Sequence, residues 1–155
     1  MMAVRVHEHG GPEVLKADDI GAPQPGPGQV RIWVSAIGLN FIEIYERSGQ
    51  YKMALPATLG AEAAGKVDAL GPGVTGPKPG DRVVSANVIG AYAEYAIVPA
   101  DRLAPVPQGV HLQTAAAVFL QGLTAHYLSH STFPLQSGHV CLIHAAAGGT
   151  GQLLV

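Results

Sequence analysis

The chain has 155 residues, 48% of them hydrophobic and 13% charged, with a net charge of −2. That length holds one ordinary domain, or one domain and a piece of another, and the charge balance excludes a global pull toward nucleic acid or anionic membrane. A single cysteine, Cys141, excludes an internal disulfide and a multi-cysteine zinc cage, and the lack of a basic-then-apolar leader or a lipidation motif makes a cytoplasmic location the expectation.

Residues 1–9 alternate and predict a strand, and GGPEVL (10–15) is a turn leading to a second. PQPGPGQ (23–29) is too rich in proline and glycine for a helix. In VRIWVSAIG (30–38), Val30, Ile32, Val34 and Ala36 recur at period two and give a strand one apolar face. The period then changes. LNFIEIYERSG (39–49) predicts one or two helical turns stopped by Gly49. LGAEAAGKVDALGPGVTGPKPGDRVV (59–84) reads as strand, glycine turns and strand; GAYAEYAIVP (90–99) reads as an alternating strand closed by Pro99. Short strands with this punctuation imply a compact β-rich domain over about residues 1–100.

After PVPQGV (105–110) the texture changes. LQTAAAVFLQGLTAHYLSH (112–130) is rich in Ala and Leu and predicts a helix with a break at Gly122. FPLQSGH is a loop, and VCLIHA (140–145) has the continuous apolar character of a strand inside a parallel sheet. The 9 Lys and Arg and the 11 Asp and Glu all lie within residues 1–102. A free surface carries charges of both signs, so the uncharged stretch from Leu103 onward is expected to be covered. Gln121, His126, His130, Pro134 and Gln136 interrupt its apolar runs before the ~18 residues of a membrane span, so no membrane partner is expected.

The 140–145 segment runs into Ala146-Ala147-Gly148-Gly149-Thr150-Gly151, a G-x-G-x-x-G pattern whose first glycine is alanine. Glycines there let the backbone approach a pyrophosphate, and a helix starting behind them would offer free N–H groups. Alone, such a cluster is equally a tight turn. The wider order of segments narrows the choice. GGPEVL, AIGLNFIEIYERSGQY, LGAEAAGKV, PGDRVV, GAYAEYAIVP, AAAVFLQGLTAHYL and HAAAGGTG follow one another at a specific spacing. Together they resemble the N-terminal part of a zinc-free medium-chain dehydrogenase/reductase of the NADPH:quinone oxidoreductase (zeta-crystallin-like) family. The resemblance runs over essentially all 155 residues, with Thr150 where the family usually has Val. It implies a mainly β GroES-like domain, a partly open β-barrel, over residues 1–124. Residues 125–155 would then be the linking helix, first strand and glycine turn of a truncated α/β Rossmann domain.

The resemblance also implies chemistry: hydride transfer from NADPH to a quinone or a similar small electrophile. Zinc-dependent relatives place a cysteine, a histidine and the histidine of a Gly-His-Glu pattern around catalytic zinc. The corresponding positions hold Asn40, Tyr45 and Ala61, so no metal is expected. Asn40 and Tyr45 are the catalytic candidates, their amide and phenol placed to stabilise developing oxyanion charge. Tyr51 is the substrate-binding candidate. Phe41, Tyr45, Thr124, Tyr127, Gly148, Gly149, Thr150 and Gly151 are the cofactor-binding candidates.

Structural roles compete for several of these positions. Asn40 suits a helix cap, Tyr45, Tyr51 and Tyr127 suit packing, and Thr124 suits a helix contact. Glu62, in an apolar run, suits a buried acid paired with Arg47 or Arg82 better than a catalytic acid. His126 and His130 share a helical face but lack the glutamate and third ligand of a zinc motif. Cys141 and His144 are expected to pack within their strand.

Only Gln152 to Val155 follow the turn, too short a stub to nucleate a helix alone. The expectation is therefore a fragment with weak or absent activity; the resemblance implies a homodimer for the full-length form. Two other readings stay open: a non-catalytic GroES-like interaction module docking through its uncharged C-terminal tail, and a double-bond (enone) reductase of the same superfamily.

Overall fold

The computed structural model describes residues 1–155, which divide into two compact units, Met1–Ala116 and Ala117–Val155. The first unit carries two antiparallel sheets. In one, β1 (Met2–Val6) is flanked by β2 (Leu15–Asp19) and β4 (Ala57–Thr58). A 3₁₀ turn at Pro12–Val14, with proline at its start, joins β1 to β2 where the GGPEVL turn is expected. The other sheet runs in the order β7 (Tyr95–Pro99), β3 (Gln29–Ile37), β5 (Ala63–Leu70), β6 (Arg82–Ser85), β8 (Ala104–Pro105).

Strand β3 organises this sheet because it pairs with β5 on one edge and β7 on the other. Its period-two pattern has the expected consequence. Val30 and Ile32 are 0% exposed in a cluster with Ala63, Val67, Val83 and Val98, whereas Trp33 on the opposite face is 52% exposed. Full burial of one such aliphatic side chain is worth about 1.5–3 kcal/mol. A smaller cluster of Val6, Val14 and Leu59 lies under the first sheet. Helix α1 (Phe41–Ser48) follows β3. It starts from extended backbone at Asn40 and ends at Gly49, whose φ of 82° is the left-handed conformation that favours glycine.

The segment 90–99 departs from the sequence expectation. Only its second half, β7, is a strand. The first half threads between the two sheets and has no single ladder to join. Ala91 and Tyr92 donate to the carbonyls of Gly60 and Leu59, the Tyr92 carbonyl accepts from Val4, and Glu94 bonds both Met2 and Val34. Its backbone is engaged by three different neighbours.

Helix α2 (Leu112–Tyr127) contains the boundary between the two units. It runs unbroken through Gly122, contrary to the expected break; one interior glycine costs only about 1 kcal/mol relative to alanine. A π turn, Leu128–Thr132, ends it. VCLIHA is not a strand. Residues 140–143 have no ladder partner and residues 144–147 form a turn. A strand needs a neighbour for its N–H and C=O groups, and this stretch has none. Val140 and Leu142 are therefore 98% and 82% exposed, and Cys141 and His144, expected to pack, are exposed too. The short stub does form a helix, α3 (Gly149–Leu154), closed by Gln152 N–H to Gly148 and by the Gln152 side chain to the Ala147 carbonyl. No helix is long and apolar enough to cross a membrane.

Ile32 is the centre of this packing. Replacing it by alanine is expected to cost about 2–5 kcal/mol, read by urea unfolding followed through the fluorescence of Trp33. Ile89→Ala, at a residue 61% exposed, is expected to change stability by less than about 0.5 kcal/mol.

Candidate functional site

The first turn of α1 is built around two buried carboxyl groups. Glu43, 3% exposed, accepts the Asn40 N–H at 2.5 Å and the Tyr92 hydroxyl at 3.1 Å through Oε2, and the Ala61 N–H at 3.2 Å through Oε1. The Asn40–Glu43 spacing is that of a capping box. Asn40 is thus the helix N-cap, as one of the competing readings holds. Its side chain does more: Nδ2 donates to Glu62 Oε2 at 3.3 Å, and Glu62 is 0% exposed. Gly38 makes room for this arrangement, since a Cβ there would lie 2.0 Å from Glu62 Oε2. Arg82, one of the partners considered for Glu62, donates to the carbonyls of Pro107 and Val110.

Burial, followed by the charge and hydrogen bond of Glu43, pushes the Tyr92 phenol well above the ordinary tyrosine value. The Glu46 carboxyl is also raised, first by burial and then by Glu43. Around this network Asn40, Phe41, Glu43, Arg47 and Tyr92 line a cleft of about 320 Å³.

The aromatic candidates lie on the solvent side of α1. Tyr45 and Tyr51 form a pair, ring centroids 5.4 Å apart and tilted by 55°, and the Tyr51 N–H donates to the Tyr45 carbonyl at 3.0 Å. Tyr45 is 36%, Tyr51 52% and Phe41 74% exposed. Aromatic rings this open are poor packing residues and good contact residues. Asn40, Phe41 and Tyr45 thus lie at the cap and along α1, with Tyr51 against Tyr45.

The remaining candidates belong to the second unit. The Thr124 hydroxyl donates to the Leu120 carbonyl at 2.9 Å, which leaves its oxygen lone pairs as acceptors. Tyr127 is 50% exposed. Gly148 is the N-cap of α3, and Gly149 and Thr150 open the helix. Gly151 is buried, and a Cβ there would come within 2.3 Å of the Ala145 carbonyl oxygen. Ala145 has a φ of 51°, strained for a residue with a side chain. A cleft of about 430 Å³ beside the turn is lined by Leu128, Ile143, Thr150 and Leu154 among others. The stacked rings of His126 and His130, 4.3 Å apart, are fixed by the His130 Nδ1 contacts to Ser129 and the His126 carbonyl.

Sequence reasoning missed Glu43, Tyr92 and Gln121. Glu43 had a signal, its N-x-x-E spacing from Asn40. Tyr92 and Gln121 had none. The Gln121 side chain lies against Gly149, where a Cβ would sit 2.9 Å from its Cγ, and its Oε1 is buried without a partner.

The raised Tyr92 value has a sign that can be tested. The folded protein holds the phenol protonated where the unfolded chain, titrating near the ordinary 10.0, releases it. This contribution to stability is present below pH 10 and is lost as pH rises above it. Urea unfolding at pH 9 and pH 11 is expected to show a steeper loss for the wild type than for Tyr92→Phe.

Comparison with known proteins agrees with this architecture. The family model of the alcohol dehydrogenase GroES-like domain matches residues 26–108. A quinone oxidoreductase of Pseudomonas aeruginosa is 47% identical over 154 residues, which are 97% of this chain and 47% of that protein. A 2-haloacrylate reductase of a Burkholderia species is 40% identical, over 100% of this chain and 49% of that protein. Among solved structures, a mycobacterial protein complexed with NADPH superposes with a TM-score of 0.96 at 50% identity, over 99% of this chain and 48% of that one. The chain therefore spans about half the length of the relatives it matches. On its antiparallel sheets and the segment that the family model matches, the chain belongs to the alcohol dehydrogenase GroES-like domain family.

Proposed function

We propose that this chain is the substrate-side part of an NADPH-dependent, zinc-independent quinone oxidoreductase, with residues 1–124 as its GroES-like domain and 125–155 as the start of a Rossmann domain. The observation that carries the reading is the 47% identity to a quinone oxidoreductase over 97% of the chain. Asn40, Phe41, Tyr45 and Tyr51, on and beside α1, are consistent with it.

The glycine turn has a form that suits a dinucleotide. Gly148 and Gly149 are exposed and carry no side chain, and the buried Gly151 lets the helix start close against Ala145. Gly148, Gly149, Thr150 and Gly151 would hold the pyrophosphate, and Phe41, Tyr45, Thr124 and Tyr127 would contact the rest of the cofactor. When bound, NADPH supplies the hydride, and with one proton from solvent it reduces a quinone to its hydroquinone and leaves NADP⁺. The work of the protein is orientation and charge. Asn40 keeps one Nδ2 proton beyond the one given to Glu62, and that proton with the Tyr45 hydroxyl would bond the quinone oxygen as negative charge develops there. Tyr51, its ring tilted against that of Tyr45, would border the substrate.

Because the chain spans about half of its relatives, it is expected to turn over weakly or not at all alone. The completed protein would be a cytoplasmic homodimer. A reductase of activated double bonds is the second reading, supported by the 40% identity to a 2-haloacrylate reductase.

The test is NADPH oxidation with ortho- and para-quinones and with 2-chloroacrylate. The chain is assayed alone and fused to the missing half of the Pseudomonas relative. The fusion is expected to reduce quinones, with Asn40→Ala lowering kcat about 10²-fold. No quinone-dependent oxidation, or a clear preference for 2-chloroacrylate, contradicts the proposal.

A further inference from the structure

We infer that Glu43 is a positioning residue, acting with Glu62 as a two-carboxyl clamp on Asn40. The inference rests on the reading of Asn40 and Tyr45 as site residues and adds to it the groups that hold them. A glutamate that merely caps a helix from its third position can do so at the surface. Glu43 is 3% exposed, and burial of a carboxyl is costly unless donors surround it. The donors come from three separate segments: the Asn40 N–H at the start of α1, the Ala61 N–H in the loop between β4 and β5, and the Tyr92 hydroxyl in the segment between the sheets.

The second carboxyl completes the clamp. Glu43 fixes the backbone of residue 40, and Glu62, entirely buried, fixes its side chain through Nδ2. Gly38 is the only residue type that leaves Glu62 room to do so, because a Cβ would lie 2.0 Å from its Oε2. Two atoms of Asn40 are thus held from below by groups on different segments. The carboxamide keeps a single orientation, and α1 leaves its N-cap in a fixed direction that sets where Tyr45 emerges one turn later. Pre-organisation of this kind is what a hydrogen-bonding site needs.

The test uses the ¹⁵N-labelled 155-residue chain and needs no turnover. In Glu43→Gln, amide exchange at Asn40 and Ala61 is expected to accelerate at least about tenfold, the loss of charge-assisted bonds, and the Asn40 side-chain amide signal is expected to move. Exchange at Ile32 and Val67 should change less than about twofold for this local effect. Glu62→Gln is expected to move the Asn40 side-chain signal and leave Ala61 exchange alone. If Glu43→Gln does not fold, Tyr92→Phe removes one arm and is expected to give the same local pattern at smaller amplitude. Unchanged exchange at Asn40 and Ala61, or equal acceleration at Ile32 and Val67, overturns the clamp.

Titration with 1,4-naphthoquinone, followed at the Asn40 side-chain amide and at Tyr45, separates the clamp from the functional reading. Weaker binding in Glu43→Gln by about tenfold supports positioning, and equal binding overturns it. A wild-type spectrum that naphthoquinone does not perturb contradicts the quinone reading, while the exchange data still decide the clamp.

Discussion

A buried carboxyl group must find donors, and the donors available to Glu43 fix the geometry of the candidate site. Its two oxygens gather an amide from the start of α1, an amide from the loop before β5 and a phenol from the segment that threads between the sheets. Those segments are remote in sequence, so the carboxyl joins parts of the chain that only the tertiary fold brings together. Burial first, and then the nearby Glu43 carboxyl, raises the Tyr92 phenol and the Glu46 carboxyl. The irregular backbone at 90–94, bonded to three different neighbours, is what presents Tyr92 to Glu43.

The sheets supply the rigid frame beneath this network. Strand β3 pairs on both edges and buries Val30 and Ile32 fully, and Gly38 and Asn40 follow directly from its C-terminal end. Phe41 and Tyr45 follow on α1, and beyond its left-handed stop at Gly49 the Tyr51 ring lies tilted against Tyr45. Packing thus runs into positioning without a break: core strand, glycine, cap, helix, ring pair. The second unit has no comparable frame. Its apolar segment at 140–143 finds no ladder partner, and its turn carries a strained Ala145.

Much of this was legible in the sequence because the signals are local. Period-two alternation in 30–37 and the change of period at 39 give β3 and α1, and Gly49 marks the helix end. The match to the GroES-like domain family over residues 26–108 agrees with the β-rich reading. What was not legible depends on distant partners. Nothing in GAYAEY says that Tyr92 will bond Glu43, 49 positions away, or that its backbone will serve three neighbours. VCLIHA has the composition of an interior strand, but composition supplies no neighbouring strand. Glu43 was the exception: its spacing from Asn40 was readable as a cap, and only its burial was not.

The coupling between Glu43 and Tyr92 tests the central claim most directly. In a double-mutant cycle of Glu43→Gln and Tyr92→Phe followed by urea unfolding, the account predicts non-additivity of about 0.5–3 kcal/mol, the range for residues in one hydrogen-bond network. Additivity within about 0.3 kcal/mol would mean that the carboxyl does not join these segments, and the account of the site would fail.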